Sequence, residues 1–228
     1  MCSRYFLDAD GNVIAYTFSV PLNERVRRRF NIAPTQEAPV VRIAQDGARE
    51  MAMLRWGLVP AWASDIGVGT KMINARGESA AAKPAFREAM ARRRCLVPAT
   101  GFFEWKGVPG RKQPFAITLP GRPLFAFAGL WESWRPRGGA PVETFTIVTT
   151  DANEAVARIH DRMPVILPRE AEDAWLDADV ATASGLVKPY EGPVELRAVS
   201  RTVSNVNNEG PECLADAAAE PGAQGELL

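Results

Sequence analysis

The sequence predicts a single mixed α+β domain, mainly β, with helices at its periphery. Three observations support this. With 46% hydrophobic residues in 228, the chain can bury a substantial core. Six Trp and ten Phe beside eighteen Gly and eighteen Pro describe a loop-rich, aromatic-rich β protein rather than a helical bundle. No internal repeat and no linker-like stretch divides it, which favours one domain.

A short strand is expected near Arg4–Leu7. The segment SVPLNERVRRRFN then reads as a helix, with Ser19 as its cap and Pro21 in the first turn, where a missing N–H costs little. NIAPTQ is a loop, and VVRIAQ and EMAMLRW form two apolar strands around the turn signal Asp46-Gly47. WGLVPAWAS breaks regularity, MINAR is extended, and AAAKPAFREAMARRR becomes helical from Pro84. The middle of the chain is a run of strands, CLVPA, GFFEWK, PFAITL, PLFAFAGLWES and ETFTIVTT, punctuated by Gly and Pro. Asp151 is placed to cap the helix ANEAVARI, PREAEDAWL gives another helix, and a short one spans Asp179–Leu186. ELRAVS is a late strand, and the tail LADAAAEPGAQGELL is small, polar and expected to be disordered.

The formal net charge is zero, yet residues 1–114 hold 18 Lys/Arg against 10 Asp/Glu. One domain can therefore present a basic face rich in Arg, the better residue for bidentate phosphate contacts. The run RVRRRF is either a solvated face or part of a surface for a nucleic-acid backbone. Three cysteines without paired spacing do not make a disulfide framework. No signal-peptide core follows Met1 and no apolar run approaches a membrane span, so a soluble cytoplasmic protein is expected.

Four features could carry chemistry. Cys2 stands directly behind Met1. Loss of Met1 would leave an α-amine, pKa about 7.7–8.0, and a thiol, pKa about 8.5, on adjacent carbons. Such a pair attacks an aldehyde first through nitrogen and then through sulfur, closing a thiazolidine. His160, the single histidine, lies in the polar cluster IHDRMP between an apolar helix and an apolar strand. In GFFEWK, alternation puts Phe103 and Trp105 on one face and Phe102 and Glu104 on the other. Glu104 is then either a solvated residue of a one-sided sheet or a carboxylate in an apolar wall, raised toward acid–base use. In INARGES, Asn74, Arg76 and Glu78 alternate and would share one face of an extended segment. A Cys₃His zinc site lacks the close ligand spacing of zinc modules. A Cys2–His160 hydrolase, or an N-terminal nucleophile using its own amine as base, stays open.

In order along the chain, MCSRY, NIAPT, WGLVPAWA, INARGES, GFFEWK, IHDRMPVIL and VSRTVSNVNNEGPE together resemble the SOS response-associated peptidase (SRAP) family. The resemblance covers residues 2–213 as one domain and leaves 214–228 as the tail. It implies a mainly antiparallel, barrel-like β core. It implies that Cys2, exposed by loss of Met1, forms a thiazolidine crosslink with the ring-opened abasic site of single-stranded DNA, junctions included. Asn74, Glu104 and His160 would support that chemistry. Arg4, Arg76 and Arg162 would contact phosphates, and Pro34 and Trp62 would lie against flanking bases. It further implies no metal or organic cofactor, a monomer, and association with the nucleoid when DNA is bound. Two departures stand out. Ser3 replaces a glycine common in the family, and the Lys83-Pro84 region lacks an arginine that some relatives carry. Arg92–Arg94 could compensate for the second.

Overall fold

The computed structural model describes residues 2–217. In chain order, β1 (Tyr5–Leu7) leads through α1 (Gly11–Phe18) to β2 (Arg29–Ile32) and the hairpin of β3 (Glu37–Ile43) and β4 (Arg49–Trp56). Next come β5 (Asn74–Arg76), α2 (Gly77–Ala80), α3 (Arg87–Arg92), β6 (Arg94–Ala99), β7 (Gly101–Lys106) and β8 (Gln113–Thr118). β9 (Phe125–Trp134) and β10 (Val142–Asp151) are the longest strands. They are followed by α4 (Glu154–Ala157), β11 (Arg162–Pro164), β12 (Ile166–Leu167), α5 (Glu172–Asp177), α6 (Val180–Gly185) and β13 (Glu195–Ala198).

Five strands close into a barrel in the order β10-β4-β3-β6-β9, with β9 pairing back onto β10. All its pairings are antiparallel except β4 with β10. Its interior takes the aromatic residues that the composition called for, among them Trp56, Phe127 and Phe145, all fully buried. Truncating a buried aromatic of this kind costs about 3–5 kcal/mol. The second sheet, β13-β8-β7-β1-β2, is antiparallel and packs on the barrel. Tyr5 meets Trp56 edge-on at 5.3 Å, and Phe102 meets Phe127 at 5.9 Å. The outer face of this sheet carries a smaller cluster of Phe6, Phe103, Val199, Val203 and Cys213, roofed by the C-terminal segment.

Where the chain leaves β4 decides where the site forms. β10 pairs with β4 as far as Phe145↔Trp56, and the same edge is then taken by β5, from Ile147↔Asn74. The intervening loop departs at Gly57 and returns at Asn74. It is pinned by the Trp56 indole, which donates to the Ile73 carbonyl at 2.8 Å. Gly57 has φ +122°, and a Cβ there would stand 2.7 Å from the Gly69 carbonyl oxygen. No larger residue fits this crossing.

Several sequence expectations need correction. The first helix is α1, not 19–31. Ile14 and Phe18, spaced i, i+4, give α1 a buried face, and Ser19 ends it with φ +53°. Residues 20–28 offer only Val20 and Val26 to the core and run as a loop. The cap of α4 is Asn153, whose side chain accepts from the Val156 N–H, because Asp151 is still paired in β10. Helix α3 begins at Arg87, one turn after Pro84. The tail expected from 214 is described through Ala217. Ser200 N–H donates to the Ala215 carbonyl, and Ala217 N–H to that of Ala198. The remainder, 218–228, lies outside the described residues.

Gly57→Ala is expected to lower the melting temperature by at least about 6 °C, since a domain of this size loses roughly 2–4 °C per kcal/mol. Gly47→Ala, at φ +84° with open space around the new methyl, is expected to cost about 1–2 kcal/mol and no more. Thermal denaturation of both variants checks the difference.

Candidate active site

Three strands bring the first candidates together. Residues 2–4 enter β1, and the Phe103 N–H donates to the Arg4 carbonyl at 3.0 Å, so β7 runs alongside. Glu104 follows Phe103 and shares the core-facing side with Phe102. Its exposure is 3%, so the carboxylate sits in an apolar wall and not on a solvated sheet. Burial pushes its carboxyl pKa up, while the nearby charges of His160 and Lys112 pull the other way. Cys2 is fully buried, and its Sγ–H lies 3.8 Å from the Arg4 carbonyl. Burial raises the thiol pKa strongly and the charge on Glu104 raises it further, so the resting sulfur is a thiol.

Asn74 ties this corner to the barrel. Its Nδ2 donates to the Cys2 carbonyl at 2.6 Å, across 72 residues of sequence. Its Oδ1 is buried and has no hydrogen-bond partner among the described residues. An unmatched acceptor beside the Cys2 backbone is a place for a further N–H or O–H donor.

A cleft of about 330 Å³ opens beside these groups, lined by Ser3, Arg4, Glu104, Trp105, Lys112, His160 and Ser204. Arg4 is 9% exposed, and its guanidinium lies 5.7 Å from the Trp105 ring centroid. Arg4 Nη1 donates to Asn31 Oδ1 and to the Val203 carbonyl, both at 2.8 Å. The sequence reading missed Trp105, Lys112 and Ser204 as cleft residues. Only the position of Trp105 and Lys112 around Glu104 on one hairpin could have signalled them.

His160 follows α4, its own N–H bonded to the Val156 carbonyl at 2.9 Å. The Arg162 N–H donates to His160 Nδ1 at 3.0 Å, which places the proton of the neutral ring on Nε2. Nδ1 also lies 2.8 Å from Asp161 Oδ1, so the protonated ring can donate there instead.

The remaining candidates do not line this cleft. Arg162 is held by Asp151 at 2.6 Å and Glu78 at 2.8 Å, and also donates to the Thr149 carbonyl. Glu78 departs from the expected alternation because Gly77 begins α2, which turns it toward Arg162. Arg76 is exposed at the end of β5, two residues after Asn74. Pro34 is half-buried in a loop stitched to β4, where Thr35 N–H donates to the Trp56 carbonyl at 2.8 Å. Trp62 is 65% exposed on the loop that leaves β4, which Trp134 Nε1 anchors through the Ala63 carbonyl at 2.7 Å. Both loops therefore hang from Trp56.

The basic runs are mostly spent internally. Arg25 pairs with Glu37, Arg28 with Asp8 and Arg29 with Glu209. Arg94 is buried and donates to the Met90, Trp175 and Ala178 carbonyls, while Arg93 pairs with Glu132. Of the run expected to compensate near Lys83, Arg93 and Arg94 are thus engaged within the fold, while Arg92, at the end of α3, is exposed. Among the described residues, no group of three His, Cys, Asp or Glu side chains could hold a metal ion. No helix among them is long and apolar enough to cross a membrane.

Comparison with known proteins adds four findings. Residues 1–206 match the family described as SOS response associated peptidase (SRAP). The Bacillus subtilis abasic site processing protein YoqW is 41% identical over 224 residues, spanning 94% of this chain and 99% of that one. The chicken abasic site processing protein HMCES is 35% identical over 224 residues, 83% of this chain and 66% of its own. A crystal structure of a Bacteroides thetaiotaomicron protein superposes with a TM-score of 0.84 at 26% identity, over 95% of this chain and all of that one.

The burial of Glu104 has a consequence for stability. With its carboxyl raised, the folded state binds more protons than the unfolded state above the ordinary carboxylate range, so stability falls as pH rises through that window. Glu104→Gln removes this loss. At pH 8 the variant is expected to melt about 2–4 °C above wild type, the shift of roughly 1 kcal/mol in a domain this size. Near pH 4 the gap should close; a gap that is the same at both pH values would show that burial does not penalise this carboxylate.

Proposed function

The chain belongs to the SOS response-associated peptidase family, and on that premise we propose that it processes abasic sites in single-stranded DNA by covalent capture. The nucleophile is Cys2 once Met1 has been removed, and the product is a thiazolidine. The observation that carries this reading is the convergence of Cys2, Asn74 and Glu104 beside a cleft lined by Arg4, Lys112 and His160. The names of relatives such as YoqW and HMCES point to the same lesion.

The chemistry follows from the groups present. The sugar of an abasic site is mostly a closed hemiacetal; His160 delivers a proton to the ring oxygen as the anomeric hydroxyl gives its own proton to water, and the ring opens to the aldehyde with no net change in protons. The Cys2 amine adds to the carbonyl carbon, giving a carbinolamine. Glu104, whose burial pushes its carboxyl pKa up and so favours the protonated form, gives a proton to the departing hydroxyl and takes one back from nitrogen, and water leaves as the imine forms. The thiol then adds across C=N: sulfur bonds to carbon and its proton ends on nitrogen. The net balance is aldehyde plus aminothiol to thiazolidine plus one water. Asn74 anchors the Cys2 carbonyl, and its unmatched Oδ1 accepts from the amine, a positioning effect.

Arg4 contacts a phosphate beside the lesion, with Arg76 and Arg162 further along the strand. For Arg162 this requires a phosphate to displace Glu78 or Asp151. Pro34 and Trp62 carry the flanking bases, with stacking worth about 1–3 kcal/mol per base and no demand on sequence. Free strands and strands at junctions both fit this arrangement, and one copy of the chain suffices. The peptidase reading, in which a Cys2 thiolate is paired with His160, shares these residues. It is less well supported, because burial and the Glu104 charge both disfavour the thiolate.

A denaturing gel tests the proposal. Wild-type protein mixed with an abasic single-stranded oligonucleotide is expected to give a shifted band, and Cys2→Ala none. Equal crosslinking by Cys2→Ala would show that Cys2 is not the point of attachment. Glu104→Ala is expected to slow crosslinking by about 10²-fold or more, the range of general acid–base groups, with a much smaller change in DNA affinity. Equal losses in rate and affinity would make Glu104 purely structural.

A further inference from the structure

Asn31 is a buried side chain that the chemistry above does not use. It is fully inaccessible to solvent, yet its amide is engaged through both its oxygen and its nitrogen. Its Oδ1 accepts from Arg4 Nη1 at 2.8 Å. Its Nδ2 faces three carbonyls, those of Val203 at 3.2 Å, Asn205 at 3.0 Å and Asn208 at 2.7 Å. Arg4 Nη1 closes the circuit by donating to the Val203 carbonyl as well. Asn31 thus links β2 to Arg4 and to the segment 203–208, whose Ser204 forms a wall of the cleft. Trp105 Nε1 lies 3.2 Å from Ser204 Oγ, so the ring beside Arg4 leans on the same segment.

This arrangement solves a problem for a phosphate-binding arginine at the foot of a cleft. A long side chain loses rotamer freedom when it grips a ligand, and that loss weakens binding. Here both Nη1 protons are spent on Asn31 and Val203, which immobilises the guanidinium before any ligand arrives. Nε is buried, and Nη2 is the part of the fork left for the cleft that Arg4 lines. A side-chain amide suits the task because it accepts from the cation on one side and donates to backbone carbonyls on the other. A carboxylate would neutralise Arg4 and repel those carbonyls.

We infer that Asn31 is a positioning residue of the DNA cleft, which acts by holding Arg4 and the 203–208 wall in the geometry that receives a phosphate. The inference rests on the abasic-site reading above. It assigns no contact between Asn31 and DNA.

The test is a double-mutant cycle on affinity for a fluorescein-labelled oligothymidylate without lesions, read by anisotropy over a range of salt concentrations. Arg4→Ala and Asn31→Ala are each expected to weaken binding about tenfold, the loss of one charge-assisted contact. Each should also reduce the slope of log affinity against log salt by about 0.7, the signature of one phosphate contact on a single strand. The double variant should bind within about twofold of Arg4→Ala alone, because both substitutions remove the same contact. Additive losses of about a hundredfold, or an unchanged salt slope in Asn31→Ala, would overturn the inference while leaving covalent capture intact. A wild-type protein with no affinity for the oligothymidylate would remove the DNA reading and this inference with it. Should Asn31→Ala fail to fold, Asn31→Ser enters the same cycle, since its hydroxyl can reach only one of the partners. If neither variant folds, Asn31 is a packing residue and the inference falls.

Discussion

A carboxylate buried against Cys2 is the constraint on which the rest of this structure turns. Leaving Glu104 in the apolar wall of β7 is costly, and the fold keeps it there with cations placed around it, not by giving it to solvent. His160 arrives from the end of α4 and Lys112 from the far side of the β7–β8 hairpin. Their convergence makes a cleft beside which burial pushes both the Glu104 carboxyl and the Cys2 thiol toward their protonated forms.

The architecture explains how such a corner stays rigid. The barrel and the second sheet meet through Tyr5 and Trp56, and Trp56 also pins the return of the chain into β5. One aromatic residue therefore locates both the strand that carries Asn74 and the loops that carry Pro34 and Trp62. The hydrogen bond from Asn74 to the Cys2 carbonyl then ties β5 to the segment that enters β1, beside the cleft. On the opposite side, Asn31 and Arg4 seat the C-terminal segment. Cys2 and Arg4 are thus each tied by a side-chain amide to a distant part of the fold.

Much of this was legible in the sequence. The strands from CLVPA to ETFTIVTT were clear because apolar and aromatic residues with turn punctuation leave few alternatives. The Glu104 face followed from period-two alternation once Phe102 was placed in the core. Other features depend on distant partners and could not be read locally. Ser19 looks like a cap from either side of a helix, and only the burial of Ile14 and Phe18 shows that it ends one. The run RVRRRF reads as a free basic surface until Asp8, Glu37 and Glu209 are brought against it by the fold. Asn31, in the middle of NIAPT, gives no hint of the carbonyls it binds some 170 residues later.

Covalent capture through an unmasked aminothiol makes a demand on mass and connectivity that no rival reading shares. The measurement is intact and tandem mass spectrometry of the protein after reaction with an abasic oligonucleotide. The account requires a species equal to the chain without Met1 plus the oligonucleotide less one water, with the adduct confined to the N-terminal peptide beginning at Cys2. An adduct on a lysine, or a crosslinked species that retains Met1, would contradict it.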